Sequence, residues 1–183
     1  MVRSEERVPI WNSIFGLAWE QAKALHELSV GRRSRRTFRP AGGTLSKSEQ
    51  HSLAAVVFCN LMIEARANHL IEGLVESGKI SEDVGEAARR LPPKDKWFLL
   101  PALAGVRASL DSASGPHQAV AQVCGLRNDA VHVKYDRLRK QLPKPGAMLN
   151  YFRLVVEAME DMNVVLRRTR RPRSTVLRIG RFL

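Results

Sequence analysis

The chain has 183 residues, 44% of them hydrophobic and 26% charged, a composition that excludes a largely disordered chain and favours one domain with appendages. Lysine and arginine total 30 against 18 acidic residues, and the net charge of +12 favours a polyanionic partner. The longest nearly uncharged apolar run, residues 97–106, is about half as long as a membrane span, so no span is predicted.

The apolar spacing is helical nearly throughout the chain. It predicts long helices at about residues 10–29, 46–77, 117–141 and 147–169, and shorter helical segments at about 81–90 and 94–104. Ser46 followed by Glu49 fits a capping box, and Pro101 is expected to interrupt its short segment. No useful run of alternating apolar and polar residues indicates a strand.

These elements predict an all-α fold, because long helices with short connections favour an up-and-down bundle. We expect four to five bundle helices, an extra N-terminal helix and a basic C-terminal tail. The predicted division is an N-terminal helix with an arginine-rich loop at 1–45, a helical bundle at 46–170 and the basic tail at 171–183.

The positive charge is concentrated in two strips that contain arginine but no acidic residue, at residues 30–40 and 167–183. Their twelve arginines equal the net charge, so the rest of the chain is balanced. Guanidinium groups pair well with phosphates, and nucleic acid is therefore the leading partner, although charge does not choose between RNA and DNA. A solvated tail, an acidic protein partner and an anionic membrane surface are the alternatives. The arginines proposed to bind the nucleic acid are Arg32, Arg33, Arg35, Arg36, Arg167, Arg168, Arg170 and Arg171.

Cysteine and histidine spacing predicts neither a metal site nor a disulfide framework, and no cofactor motif is present. Cys59 and Cys124 lie in apolar surroundings without a CxxC partner, which is typical of buried thiols in an intracellular protein. Surface or cap positions are expected for four further histidines, namely His26, His51, His69 and His117. The amino terminus mixes glutamates with arginines and resembles no secretory signal, so a cytoplasmic location is expected.

Polar residues interrupt two predicted apolar stripes. In the second long helix, Glu64 and Asn68 are predicted to lie on the inner stripe, where apolar residues belong. In the third long helix, Arg127 falls inside the apolar arc, while Asn128 and His132 stack at its edge. Because an unpaired buried arginine is costly, Arg127 must find an anion, leave the arc or lie at an interface. A structural pair between Arg127 and Glu64 is one interpretation.

The segment Leu126-Arg127-Asn128-Asp129-Ala130-Val131-His132 resembles the signature of the HEPN superfamily, the "higher eukaryotes and prokaryotes nucleotide-binding" domains. That signature is an arginine, a polar residue, three further residues and a histidine in a long helix of an α-bundle. Residues 64–71 are similar to a looser pattern of the family, and the resemblance spans roughly residues 48–169.

Catalytic HEPN proteins are metal-independent endoribonucleases and usually dimers, with two motifs facing each other. The resemblance therefore implies Arg127 and His132 as the catalytic pair, with Asn128, Glu64 and Asn68 in support. Histidine suits proton transfer to and from the 2′-hydroxyl and 5′-oxygen of RNA, and arginine suits the phosphate. The expected product ends are a 2′,3′-cyclic phosphate and a 5′-hydroxyl.

The resemblance also suggests partners: RNA such as tRNA or mRNA, a second copy of the chain and, for a toxin, an antitoxin. In some toxin members a nucleotidyltransferase antitoxin modifies a tyrosine two residues after the histidine. Tyr135 lies three residues after His132, so that regulation is not carried over and Tyr135 is assigned only a supporting contact.

Three functions are consistent with these patterns. The first is an RNase that serves as a toxin or a phage-defence effector. The second is a non-catalytic module of the same superfamily that binds RNA or protein. The third is a DNA-associated protein, which no recognisable helix-turn-helix supports.

Overall fold

A computed structural model describes residues 10–30, 45–132 and 140–166. This part of the chain forms six helices and no strand, which confirms the predicted all-α fold. The helices are α1 (Ile10–Val30), α2 (Lys47–Glu76), α3 (Glu82–Arg89), α4 (Pro93–Leu103), α5 (Gly115–Val131) and α6 (Pro145–Val165).

Helix α2 is the longest helix and packs against each of the other five, in an arrangement compatible with a helical bundle. Helix α6 packs against α1, α2 and α5, and α4 also meets α5. The core they enclose includes Ala18, Leu25, Ile63, Leu70, Trp97, Leu100, Val120, Val123, Phe152 and Met162. Phe15 and Trp19 of α1 add tilted ring contacts with Phe152 at 5.6 and 5.7 Å. Helix α1 therefore shares one hydrophobic core with the helices that follow it.

The predicted start of α2 is confirmed by its capping hydrogen bonds. The backbone N–H of Glu49 donates to Ser46 Oγ at 3.3 Å, and the backbone N–H of Ser46 donates to Glu49 Oε2 at 2.7 Å. Helix α3 begins in a related way, with the backbone N–H of Val84 donating to Ser81 Oγ at 3.4 Å. Both starts follow from local sequence alone, because the capping side chains lie within three residues of the groups they bind.

The prediction that Pro101 interrupts its helix is wrong, since α4 continues from Pro93 to Leu103. Pro101 lacks an N–H, but its position is close to the C-terminal end of the helix. Trp97 and Leu100 are fully buried on the same helix, and that burial outweighs the loss of one hydrogen bond. The helix ends at Leu103, and Gly105 (φ +71°) just after the C-cap turns the chain so that the N–H of Val106 donates to Pro101 O at 2.8 Å.

Helix α5 ends ten residues earlier than its predicted end at residue 141, because its last helical residue is Val131 and His132 is the C-cap. Residues 133–139 lie outside the described part of the chain. The buried residues of α5 stop at Cys124, while Leu126 is half-buried and Val131 is 54% exposed. No residue of α5 after Cys124 is fully buried, so its last turns gain little support from packing.

The apolar stripe predicted for α2 is misplaced around the helix. The buried arc runs through Val56, Ile63, Ala67 and Leu70, whereas Leu61 is 39% exposed. Glu64 and Asn68 are half-buried and lie on the border of this arc instead of its centre. Because α2 is surrounded by five helices, its buried arc is broad, and spacing alone does not locate the centre of such an arc. In α1, the apolar side chain of Leu17 is likewise exposed, at 50%.

Candidate functional site

The three residues of the HEPN-like signature lie together at the C-terminal end of α5. Arg127 and Asn128 belong to its last turns, and His132 is its C-cap. Arg127 Nη1 donates a hydrogen bond to Asn128 Oδ1 at 3.3 Å, and the backbone N–H of His132 donates to the Asn128 carbonyl at 3.1 Å. Asn128 and His132 are exposed and Arg127 is half-buried. A guanidinium and an amide are therefore hydrogen-bonded to each other in the last turns of α5, and His132 follows at the exposed C-cap of the same helix.

The predicted pair between Arg127 and Glu64 is wrong. Glu64 Oε1 instead accepts a hydrogen bond from Lys96 Nζ at 3.1 Å. Lys96 belongs to α4 and is only 2% exposed, so its ammonium has a greater need of an anion than the half-buried guanidinium has. In the described part of the chain, no carboxylate lies within ion-pair distance of Arg127.

Lys96 is a residue of this region that the sequence interpretation missed. Its position did carry a signal, because Lys96 stands directly before Trp97 and four residues before Leu100, both on the buried face of α4. The periodicity that places Leu100 in the core also places Lys96 there. A lysine at such a position indicates a buried carboxylate partner, which proves to be Glu64.

The thiol of Cys124 lies one turn before Arg127 and lies near several charged groups. Burial raises the pKa of Cys124 to about 12, with smaller contributions from the charges of Lys94, Glu64, Arg127 and Asp95. Burial likewise raises the pKa of Cys59 to about 12. Both thiols are free and buried, as predicted, and both stay protonated near neutral pH. The chemistry of this region therefore depends on the charged groups around Cys124 and not on the thiol.

The Oδ1 atom of the predicted supporting residue Asn68 forms no hydrogen bond with the signature residues. Asn68 lies one turn after Glu64 on α2, and its Oδ1 is buried with no hydrogen-bond partner in the described residues. Tyr135 lies outside the described residues. The same holds for every arginine proposed to bind nucleic acid, namely Arg32, Arg33, Arg35, Arg36, Arg167, Arg168, Arg170 and Arg171.

The prediction of a surface or cap position is wrong for His117, which is buried. Trp97 Nε1 donates a hydrogen bond to His117 Nδ1 at 3.2 Å, so the neutral imidazole carries its hydrogen on Nε2. Burial lowers the pKa of His117, and the negative charge of Asp161 opposes that effect in part. His117 is thus a core residue that accepts a hydrogen bond from an indole.

Within residues 10–30, 45–132 and 140–166, no three histidine, cysteine, aspartate or glutamate side chains form a group that would hold a metal ion. The helices described here also include none long and apolar enough to cross a membrane. No protein-family model, no curated protein and no solved structure matches the chain.

Proposed function

We propose that this protein is a metal-independent endoribonuclease of the HEPN type, with Arg127 and His132 as its catalytic pair. The observation that supports the proposal best is the partner of Glu64. Since Glu64 is bound by Lys96, no carboxylate in the described residues neutralises Arg127, and the guanidinium is available for a phosphate. His132 is exposed at the same helix end.

The reaction uses the 2′-hydroxyl of RNA as its nucleophile. One imidazole takes the proton of that hydroxyl while its oxygen attacks the neighbouring phosphorus. The bond from phosphorus to the 5′-oxygen then breaks, and a second acid returns a proton to the leaving oxygen. Arg127 holds the phosphate and stabilises the negative charge that grows on it. The products are a 2′,3′-cyclic phosphate end and a 5′-hydroxyl end.

Each chain has one His132, whereas the reaction needs a base and an acid. A homodimer that brings two copies of His132 to one cleft would supply both, and we therefore propose a homodimer as the active form. The exposed Val131 beside His132 supports this assignment, because a protein surface can cover such an apolar side chain. Asn128 contributes by orienting Arg127 through their hydrogen bond.

The substrate and setting follow from charge and resemblance. The two arginine strips would draw RNA towards the cleft, with tRNA and mRNA as candidate substrates. We propose a cytoplasmic toxin or phage-defence effector, and an antitoxin such as a nucleotidyltransferase is a candidate partner.

The second candidate function is a non-catalytic module that binds RNA or a protein. Asn128 is exposed, and Arg127 has no carboxylate partner in the described residues, so both would equally suit recognition of a phosphate without cleavage. The two candidates differ in whether His132 is needed for bond breaking.

The deciding experiment measures cleavage of total RNA in the presence of a chelator by the wild type, Arg127→Ala and His132→Ala. We expect cutting that leaves cyclic phosphate ends, with losses of at least about 100-fold in each variant. The matched control is Arg90→Ala, which removes an exposed arginine at the C-cap of α3 and should leave cleavage unchanged. Binding without cutting by the wild type would establish the binding module instead.

A further inference from the structure

The ion pair between Lys96 and Glu64 has no part in the proposed chemistry, yet it lies beside the site. Lys96 is 2% exposed on its side chain and Glu64 is 35% exposed. The ammonium is therefore reached only from inside the protein, while the carboxylate lies at the edge where solvent begins. Lys96 cannot touch RNA from this position, so any contribution it makes must act through Glu64.

The ion pair between Lys96 and Glu64 is stable because breaking it would leave the buried Lys96 ammonium without a partner. A buried ammonium without an anion loses its hydration and gains nothing in exchange. In the described part of the chain, Glu64 is the carboxylate bonded to Lys96 Nζ, at 3.1 Å. The half-exposed carboxylate would be solvated without Lys96, but the buried lysine would not be solvated without Glu64. The pair is thus maintained mainly because an unpaired, buried Lys96 ammonium would be costly.

Glu64 and Arg127 share one neighbourhood. Helices α2 and α5 pack against each other, and α4, which carries Lys96, packs against both. The charges of Lys94, Glu64 and Arg127 all act on the thiol of Cys124, which is one turn from Arg127. A Glu64 carboxylate that was not bound by Lys96 would therefore be attracted by the nearby charges of Arg127 and Lys94.

We propose that Lys96 is a positioning residue that keeps Arg127 free for phosphate by binding the carboxylate that would otherwise pair with it. The expected effect of Lys96 on RNA cleavage rests on the proposed function. The expected change in the partner of Glu64 rests only on the positions of the charged groups. The inference assigns a role in substrate binding to a residue that never contacts the substrate.

The variant that tests the inference is Lys96→Met, which keeps an unbranched chain in the core and removes the charge. We expect kcat/KM for RNA cleavage to fall about tenfold, since Arg127 must first break charge-assisted hydrogen bonds to Glu64. Adding Glu64→Gln to this variant removes the competing charge and should restore cleavage. Lys79→Met is the matched control, because Lys79 is exposed and lies outside this cluster.

The rescue separates positioning from simple damage, because a variant that is merely misfolded is not repaired by a second change. If Lys96→Met does not melt cooperatively, Lys96→Gln replaces it in the same comparison. A double variant that stays as weak as the single variant would overturn the inference.

A crystal structure of Lys96→Met tests the structural part without any activity. We expect a Glu64 carboxylate oxygen within about 4 Å of an Arg127 guanidinium nitrogen, the usual limit for an ion pair. If Glu64 stays away from Arg127, the inference is wrong even if the enzyme cleaves RNA. If the two pair while the wild type never cleaves RNA, the structural inference holds and the proposed nuclease function fails.

Discussion

Burial and a hydrogen bond together determine the protonation state of His117. Its Nδ1 accepts the Trp97 Nε1–H bond at 3.2 Å, and burial lowers its pKa from the ordinary value of 6.5. Protonation of Nδ1 would abolish the acceptor and place a charge in the core. The neutral form is therefore the one that fits this fold.

A pH dependence of stability follows from that shift. The unfolded chain takes up a proton at His117 at a higher pH than the folded chain, so folding is penalised as the pH falls below about 6.5. The contribution of His117 is fully present above that pH and is lost as the pH falls through the folded pKa. We expect the free energy of unfolding, measured by denaturant titration, to decrease from about pH 7.5 to about pH 5.5.

The matched variant is His117→Gln, whose side-chain oxygen can still accept from Trp97 but does not titrate. Its pH dependence over the same range should be shallower than that of the wild type. Equal slopes for the two proteins would show that other groups cause the acid sensitivity.

Helices α2 and α3 meet closely at one glycine. A Cβ added at Gly85 would lie 2.4 Å from Val75 Cγ2, and the branched valine has little freedom to move away. The absence of a side chain at Gly85 is therefore what lets α3 pack against the last turns of α2. This requirement comes from the neighbouring helix and not from the backbone conformation of α3.

We expect Gly85→Ala to lower the free energy of unfolding by about 1–3 kcal/mol, because the overlap outweighs the gain in helix propensity. Gly16→Ala is the control, since a Cβ at this exposed position of α1 meets nothing within 4 Å. It should raise the free energy of unfolding by about 0.5–1 kcal/mol. Thermal or denaturant unfolding of the two variants measures both effects, and a stabilised Gly85→Ala would contradict the close approach.

The net charge of the whole chain predicts how RNA binding depends on salt concentration. The net charge of +12 arises from twelve arginines in two strips outside the described residues. If these arginines contact phosphates, RNA binding releases counterions and the affinity falls steeply with added salt. We expect the logarithm of the binding constant to fall linearly with the logarithm of salt concentration, with a slope of about −0.7 for each phosphate contacted.

The measurement is fluorescence anisotropy of a labelled RNA at several salt concentrations. Replacing Arg167, Arg168, Arg170 and Arg171 by glutamine should make the slope shallower. If the affinity of the wild type does not change with salt concentration, the arginine strips do not contact the RNA phosphates.

The sequence selected the residues of the candidate site but did not give their partners. Arg127, Asn128 and His132 were selected by their spacing, and the structure places them in the last turns and at the C-cap of α5. The partner of Glu64 was mispredicted, since spacing within α2 and α5 contains no information about Lys96 on α4. The predicted end of α5 was also wrong, because that end depends on where the core stops.

Helical periodicity and capping residues were enough to establish the all-α fold and the start of α2, because both act between residues at most a few positions apart. The pairing of Lys96 with Glu64, the burial of His117 and the border position of Glu64 depended on the packing of the helices. The same holds for the finding that no carboxylate of the described residues pairs with Arg127. Ion-pair partners and burial are set by contacts between residues far apart in the chain, and local spacing does not encode which helix packs beside which.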